Sequence, residues 1–482
     1  MLNFTRLIII LLLLPSIAHS ETNSPATLTA KGFVNFSAAS RSQASSFEQK
    51  NLPDNFTKNH FSNAQAMGND SQFFLKAETA RGEEKYGAVT KFEFNINSDH
   101  RNENPNLDQA FAFAENDFGK FEIGNNQAVN QKMKVGATRF ARGAGGINGK
   151  YLEHVNLPML ANSSQSSSPA CSGGVGDSTC SSIKLPRFIL LAQSPIGHGG
   201  YAKSFYRRGS DNGYLSGGRD YSDFNRSHFR ALKDDSFDGV EDATKINYYS
   251  PRIEGFQLGL SYAPDSANNG FTANTARDVD IIRIKNIFSF GANYSQDFDN
   301  VGVAFSSTAE KGQIKNSKSA AGTQRQDLIA YDLATTITYF GFSFGASYGS
   351  WGNSLQPKNG IYSCDYNSAQ TLSSQNCSGD SRKFSNPHYY TAGIAYQFGP
   401  VATSITGLKS EFQKNNYAAV SFGVDYKMTK NLMPYFELTK FAFKSNQPTA
   451  SDITNQNALT SSQRQVRDNQ GYVFLTGILY SF

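Results

Sequence analysis

Apolar and small polar residues alternate one for one along much of this chain. In Phe288-Ser289-Phe290-Gly291-Ala292-Asn293-Tyr294, Phe288, Phe290, Ala292 and Tyr294 point one way, and Ser289, Gly291 and Asn293 the other. The stretches Phe342 to Tyr348 and Val420 to Tyr426 repeat the pattern. A period of two is the mark of a strand with one apolar face. Sixteen segments qualify: 27–37, 71–80, 87–97, 107–115, 119–126, 243–250, 255–263, 286–295, 300–309, 329–339, 341–350, 389–398, 400–409, 417–427, 432–443 and 471–482.

The connections between them alternate in length. Tight ones are Glu115 to Gly119, Pro251 to Gly255, Phe340, Phe398-Gly399-Pro400 and Lys427 to Asn431. Long ones span about 38–70, 127–242, 264–285, 310–328, 351–388 and 444–470. A soluble sandwich would bury its apolar face and set charges outside. Here the polar face is mostly Gly, Ser, Thr and Asn, which suits a wall with lipid outside and an aqueous lumen inside. The expected fold is all-β: a transmembrane antiparallel up-and-down barrel, with short turns on one rim and long extracellular loops on the other. It has sixteen strands, or eighteen if Arg187 to Gln193 and Tyr201 to Arg208 form a further wall hairpin.

The first residues add the route. Arg6 precedes an unbroken apolar run, Leu7 to Leu14, too short for a spanning helix, which needs roughly 20 residues. Pro15 ends it, and Ala18-His19-Ser20 supplies small residues for a peptidase. Residues 1–20 are therefore expected to be an export signal, and 21–482 the barrel. The other reading is an uncleaved anchor. The low mean hydropathy fits a barrel, whose strands expose only alternate residues to lipid. Aromatics are 13% of the chain, nearly all Phe and Tyr, and suit interfacial girdles. A net charge of only +5 makes no case for nucleic acid.

Four cysteines form two local pairs, Cys171 with Cys180 and Cys364 with Cys377, in Ser/Gly/Asn-rich segments without strand character. An exported chain meets an oxidising compartment, so both pairs are candidate loop disulfides. Metal binding is the other reading, without CxxC spacing or clustered His to support it. Gly173-Gly174-Val175-Gly176 lacks the Lys and helix of a phosphate loop, and no other cofactor motif appears. All mature histidines fall in predicted loops or turns, and no Ser-centred elbow accompanies them. An enzyme is disfavoured on those grounds.

The last strand, GYVFLTGILYSF, ends in Phe482 with Tyr480, Ile478 and Phe474 on the same face. It resembles the C-terminal signal that the barrel-assembly machinery reads in Gram-negative outer-membrane proteins. Leu107 to Asn126 and Thr244 to Asp265 are similar to hairpins of the general, trimeric, sixteen-stranded Gram-negative porins. The first departs from that pattern at Ile123-Gly124-Asn125-Asn126, which lacks the Arg expected near the constriction. The resemblance implies an outer-membrane homotrimer that contacts lipid and lipopolysaccharide and passes ions and small hydrophilic solutes. It also implies that the third loop, 127–242, folds into the lumen and narrows it.

Alternation assigns lumen-facing charges. The candidate pore-lining residues are Lys31, Lys76, Glu78, Lys91, Glu93, Lys120, Glu122, Lys245, Asp332, Asp425 and Glu437. A base facing mid-membrane lipid would cost ~2–4 kcal/mol, so the lumen is their natural place. Rings of charge at a narrow point set ion selectivity. The candidates for that point are Lys134, Arg139, Arg142, Asp234, Asp235 and Asp238. The bland reading of these charges is plain solvation of wall and loop. Three activities are thus on the table: an open channel, a plugged surface barrel whose loops bind other partners, and, least supported, a barrel enzyme.

Overall fold

The computed structural model describes residues 26–45, 64–94, 106–141, 143–155, 188–195, 243–266, 283–315, 326–354, 361–364, 377–380, 386–412, 415–444 and 468–482. Sixteen strands close into one antiparallel barrel. They are β1 (Thr27–Gln43), β2 (Gln65–Arg81), β3 (Glu84–Phe94), β4 (Asn106–Asn116), β5 (Gly119–Asn125), β6 (Thr244–Tyr249), β7 (Phe256–Asp265) and β8 (Arg283–Phe298). The second half is β9 (Val301–Lys315), β10 (Leu328–Tyr339), β11 (Phe342–Ser350), β14 (His388–Phe398), β15 (Val401–Phe412), β16 (Asn415–Tyr426), β17 (Leu432–Lys444) and β18 (Asp468–Ser481). Each wall strand pairs with its neighbours along the chain, and β1 pairs with β18 to close the ring. All sixteen expected segments are wall strands. Several run further towards the long-loop rim than the pattern indicated, as β1 does to Gln43 and β9 to Lys315.

The alternation decides what each face meets. On β8, Phe288 and Phe290 are exposed outward, while Ser289 and Asn293 are buried inward. On β7, Leu258 and Leu260 are outward and Ser261 inward. Among the described residues no helix is long and apolar enough to cross a membrane, so any crossing falls to the strands.

Two local features complete the ring. Phe340 (φ 44°) and Gly341 (φ 83°) turn β10 into β11 in two residues, the left-handed geometry that matches strand twist. At the seam, Gly32 and Phe482 exchange two backbone hydrogen bonds of 3.0 Å. A Cβ on Gly32 would fall 2.6 Å from the Gln72 carbonyl oxygen and 2.7 Å from the Phe482 ring, so glycine gives the backbone and the terminal aromatic room there. Phe474, Ile478, Tyr480 and Phe482 are all outward and about half exposed.

One expectation is corrected, and the eighteen-strand alternative gains no support from the described part of its hairpin. The segment 351–388 holds a separate two-stranded ribbon, β12 (Ile361–Cys364) with β13 (Cys377–Asp380), and its register sets Cys364 opposite Cys377. Of the first arm of that hairpin, Arg187 to Gln193, the described residues are no wall strand: residues 188–195 form irregular chain inside the barrel. Phe188, Ile189, Leu190, Leu191 and Ala192 are apolar at every position, so this segment is buried all round, not on one face. Its expected partner, Tyr201 to Arg208, lies outside the described residues.

Candidate functional site

The chain leaves β5 at Gly124 (φ 135°), where a Cβ would fall 2.4 Å from the Ala110 carbonyl oxygen. It then turns inward. Residues 126–141 and 143–155 form a belt of one helical turn, α1 (Val129–Lys132), and three 3-10 turns, Ala137–Arg139, Gly146–Asn148 and Lys150–His154. The belt runs along the inner wall in strand order. Its α1 turn packs on β7, β8 and β9, the next turn on β11 and β14, the next on β15 to β17, and the last on β18 and β1.

Irregular backbone inside a barrel must find hydrogen-bond partners outside itself. The small polar wall residues supply them. Val129 N donates to Ser261 Oγ (2.9 Å), Val135 N to Ser306 Oγ (3.1 Å) and Gly136 N to Thr336 Oγ1 (3.0 Å). Gly143 N donates to Asp425 Oδ1 (3.1 Å), and Gly146 N to Glu437 Oε2 (2.8 Å). In return, Asn293 Nδ2 donates to Met133 O, Asn35 Nδ2 to Gly143 O and Arg41 Nη1 to His154 O. Wall glycines give the belt room. A Cβ on Gly259 or Gly291 would fall 2.4 or 2.7 Å from the Met133 sulfur.

Charged pairs fasten the belt at its start and middle. Glu122, 2% exposed, pairs with Lys120 (2.9 Å) and Lys132 (2.6 Å) and accepts from Asn126 Nδ2 (2.7 Å). Beside it, the Lys245 ammonium donates to the carbonyls of Asn126 and Ala243. Lys134 Nζ sits 2.7 Å from Asp332 Oδ2 and 2.9 Å from the Tyr389 hydroxyl. Burial pulls the Lys134 and Lys132 ammonium groups below the usual lysine range, and Asp332 and Glu122 oppose that shift. Ion pairing of this kind keeps a buried ammonium charged. His154 is held down to about 4, chiefly by burial, with Arg41 and Lys150 acting in the same direction.

A second layer lies on the belt near the long-loop rim. In residues 188–195, Ser410 Oγ donates to Ile189 O (2.6 Å), Trp351 Nε1 to Gln193 O (2.8 Å) and Ala192 N to Asn148 Oδ1 (3.1 Å). This segment packs with Trp351, Tyr389, Phe412, Tyr417, Phe441 and Phe443 in an apolar core inside the barrel.

Among the described residues, the wall of β2 to β5 carries little cover. Lys76 and Lys120 keep 42% and 34% of their side chains exposed. Both ammonium groups lie over the Phe113 ring, at 5.1 and 5.2 Å. Lys132 lies over Phe111 at 5.0 Å and Lys91 over Phe74 at 5.7 Å. Aromatic faces attract cations without cancelling their charge. Lys76 also pairs with Glu78 at 2.5 Å. Sequence reasoning missed these inward phenylalanines. The signal was the hairpin register, which sets Phe113 opposite Glu122.

The expected site residues thus fall into groups. Glu122, Lys245, Asp332, Asp425 and Glu437 are inward and buried, four of them in direct contact with the belt through Lys132, Lys134, Gly143 and Gly146, and Lys245 through Asn126. Lys76, Glu78, Lys91 and Lys120 are on the barer wall, as is Lys31, exposed on β1. Lys134 is an anchor, 8% exposed, while Arg139 is exposed and within 3.5 Å of the Lys132 carbonyl. Arg142, Asp234, Asp235, Asp238, Cys171, Cys180 and the side chains of Glu93, Cys364 and Cys377 lie outside the described residues.

A family model described as Gram-negative porin matches residues 194–446. An uncharacterized protein of Rickettsia conorii, RC0098, is 28% identical over 300 residues, which are 53% of this chain and 64% of that protein. One from Rickettsia bellii is 27% identical over 376 residues, 69% of each chain. Among solved structures, the anion-selective porin from Comamonas acidovorans matches with TM-score 0.46 and 12% identity, over 95% of this chain and 100% of that one. A loop-deletion form of OmpT from Vibrio cholerae matches with TM-score 0.45 and 9% identity, over 95% and 99%.

Proposed function

The chain belongs to the Gram-negative porin family, and we propose that it forms a water-filled channel in the outer membrane for passive diffusion of ions and small hydrophilic solutes. The observation that carries this reading is the asymmetry of the lumen. The belt and its second layer cover the wall from β7 round to β18, and the lysine-bearing wall of β2 to β5 keeps solvent access. Solutes pass along that barer wall, past Lys76, Lys91, Lys120 and the exposed Arg139. Fixed charges beside a narrow path select ions by sign.

The rest of the proposal follows the family. Residues 1–20 direct export, the terminal strand with Phe474, Ile478, Tyr480 and Phe482 recruits the assembly machinery, and three copies associate. Cys364 and Cys377 form a disulfide across β12 and β13, for which their opposed register is the support. Cys171 and Cys180 form a second. The plugged surface barrel is the competing reading, and the apolar core inside the lumen is the observation that favours it.

Planar-bilayer conductance of the refolded mature chain separates the two. Stable ohmic steps of nanosiemens order are expected for the channel. Folded protein that inserts and gives no steps would replace the channel with the plugged barrel.

A further inference from the structure

Belt, second layer and wall meet around one cavity of about 310 Å³. The belt lines it with Asn130, Gln131, Lys134 and Arg139, the second layer with Gln193, and the wall with Asp332 of β10. Small-molecule sites usually measure ~300–1,000 Å³, so a cavity at the lower end admits one small solute and no polymer.

Three oxygens on these residues are buried and accept no hydrogen bond from any described residue: Asn130 Oδ1, Gln131 Oε1 and Asp332 Oδ1. Asn130 and Asp332 are themselves 5% and 4% exposed. The donors beside them point elsewhere. Asn130 Nδ2 donates to Glu310 Oε2 (2.7 Å), and Lys134 Nζ to Asp332 Oδ2 (2.7 Å) and the Ala192 carbonyl. A buried acceptor without a donor is costly, and folded proteins rarely gather three in one place. Arg139 stands at the open side of the cavity. It is exposed, and its Nη2 lies 3.5 Å from the Lys132 carbonyl, at the end of the α1 turn that carries Asn130 and Gln131. Among the described residues, its guanidinium makes no ion pair of 4 Å or less.

Acceptors without donors and a guanidinium without a carboxylate are complementary needs. One ammonium group satisfies the first. One carboxylate satisfies the second, because the planar fork of Arg matches its two oxygens. Charge agrees: Asp332 and Glu310 offset Lys134 and Arg139, so the surroundings are neutral and suit a neutral solute that carries both charges. A divalent cation fits poorly. Calcium takes roughly 6–8 oxygens, many of them carboxylate, and the described residues gather no group of three His, Cys, Asp or Glu. We propose that this cavity binds a free α-amino acid, with its ammonium on Asn130, Gln131 and Asp332 and its carboxylate on Arg139. The inference rests on the channel reading, which brings small solutes into the lumen, and names one class of them.

Trp351 is the only tryptophan of the chain, and its Nε1 donates to the carbonyl of the cavity residue Gln193 (2.8 Å), so its fluorescence reports on the cavity. The test is titration of the refolded mature chain in a neutral detergent, followed by Trp351 emission and by calorimetry. The probes are L-valine, valinamide, N-acetylvaline, glucose and calcium chloride. Valine should bind saturably and shift the emission. Each blocked form should bind about tenfold more weakly, the order of one lost hydrogen bond to a charged group. Arg139→Gln should weaken valine by about the same factor and abolish the preference for valine over valinamide. Gln131→Met should also weaken valine without loss of stability, because it removes an unpaired acceptor. Lys311→Gln, exposed on the outward face of β9, should leave binding as it is. Heat-modifiable electrophoretic mobility verifies that each variant folds. Absent valine binding, equal binding of valine and its blocked forms, an equal response to glucose or calcium, or unchanged binding in folded Arg139→Gln would each overturn the assignment. Bilayer conductance is a separate readout. Steps from a barrel that ignores valine remove the site and leave the channel, and valine binding by a barrel that gives no steps removes the channel and leaves the site.

Discussion

Asp332, Asp425 and Glu437, on β10, β16 and β17, are each less than a tenth exposed, whereas Lys76 and Lys120, on β2 and β5, keep about two fifths and one third of their side chains open. All five sit at inward positions of wall strands, and alternation treats them alike. The difference is what lies on top of them. Carboxylates under the belt have exchanged water for backbone N–H groups and one lysine, so they act as structural anchors. Lysines on the barer wall rest on phenyl rings and still meet solvent, so in the proposed channel they are the charges that meet passing ions. The comparison teaches that a charge facing the lumen keeps its solvent only where the folded loop leaves it uncovered.

Breaking the anchor should have the largest effect. Asp332→Asn leaves the Lys134 ammonium buried without its counter-charge, a loss of about 3–5 kcal/mol. Denaturant unfolding of the barrel should register it, and open-channel current should become noisier as the belt loosens. Asp332→Leu combined with Lys134→Met should recover much of the stability, because neither charge is then stranded. A single variant as stable as the parent would show that the pair does not hold the belt.

Removing charge from the barer wall should change selectivity and little else. Lys76→Gln should move the reversal potential in a salt gradient towards cation preference. Stability should change by about 1 kcal/mol or less, since the Lys76–Glu78 pair is partly exposed and such pairs contribute little. An unmoved reversal potential would remove β2 to β5 from the conduction path.

The smallest effect concerns the far end of the belt. His154 is held down to about 4 by burial, and Arg41 on β1 and Lys150 add to the shift; Lys150 is itself 3.4 Å from Asp70 on β2. In the unfolded chain the same imidazole titrates near ~6.5. As pH falls below that value the unfolded state takes the proton first. Stability from neutral His154 is therefore full above about 6.5, declines down to about 4 and is flat below. Unfolding midpoints at pH 7 and pH 4.5 should differ less in His154→Gln than in the parent, and equal slopes would exclude His154 as a contributor.

Much of the wall was legible because lipid and lumen impose opposite demands on successive residues, and Phe288 to Tyr294 shows both in seven positions. The inward phenylalanines were harder. Ala110 to Ala114 alternates Ala with Phe, and the pairing of Phe113 with Glu122 tells which of the two faces the lumen. Phe188 to Ala192 left a further wall hairpin open beside the sixteen-strand reading, because an apolar run looks alike in a strand and in a core. Lys134 looked like a constriction charge, since nothing local shows that Asp332 lies beneath it.

Local alternation and turn residues, by themselves, determined the strand count, the tight turns and the inward or outward sense of most positions. These depend on neighbours two residues away and on the solvent each face meets. The route of the belt was decided only in three dimensions. Gly143 meets Asp425 and Gly146 meets Glu437 across 282 and 291 positions of chain. No spacing along the sequence encodes such contacts, because the barrel must close before the wall that receives the belt exists.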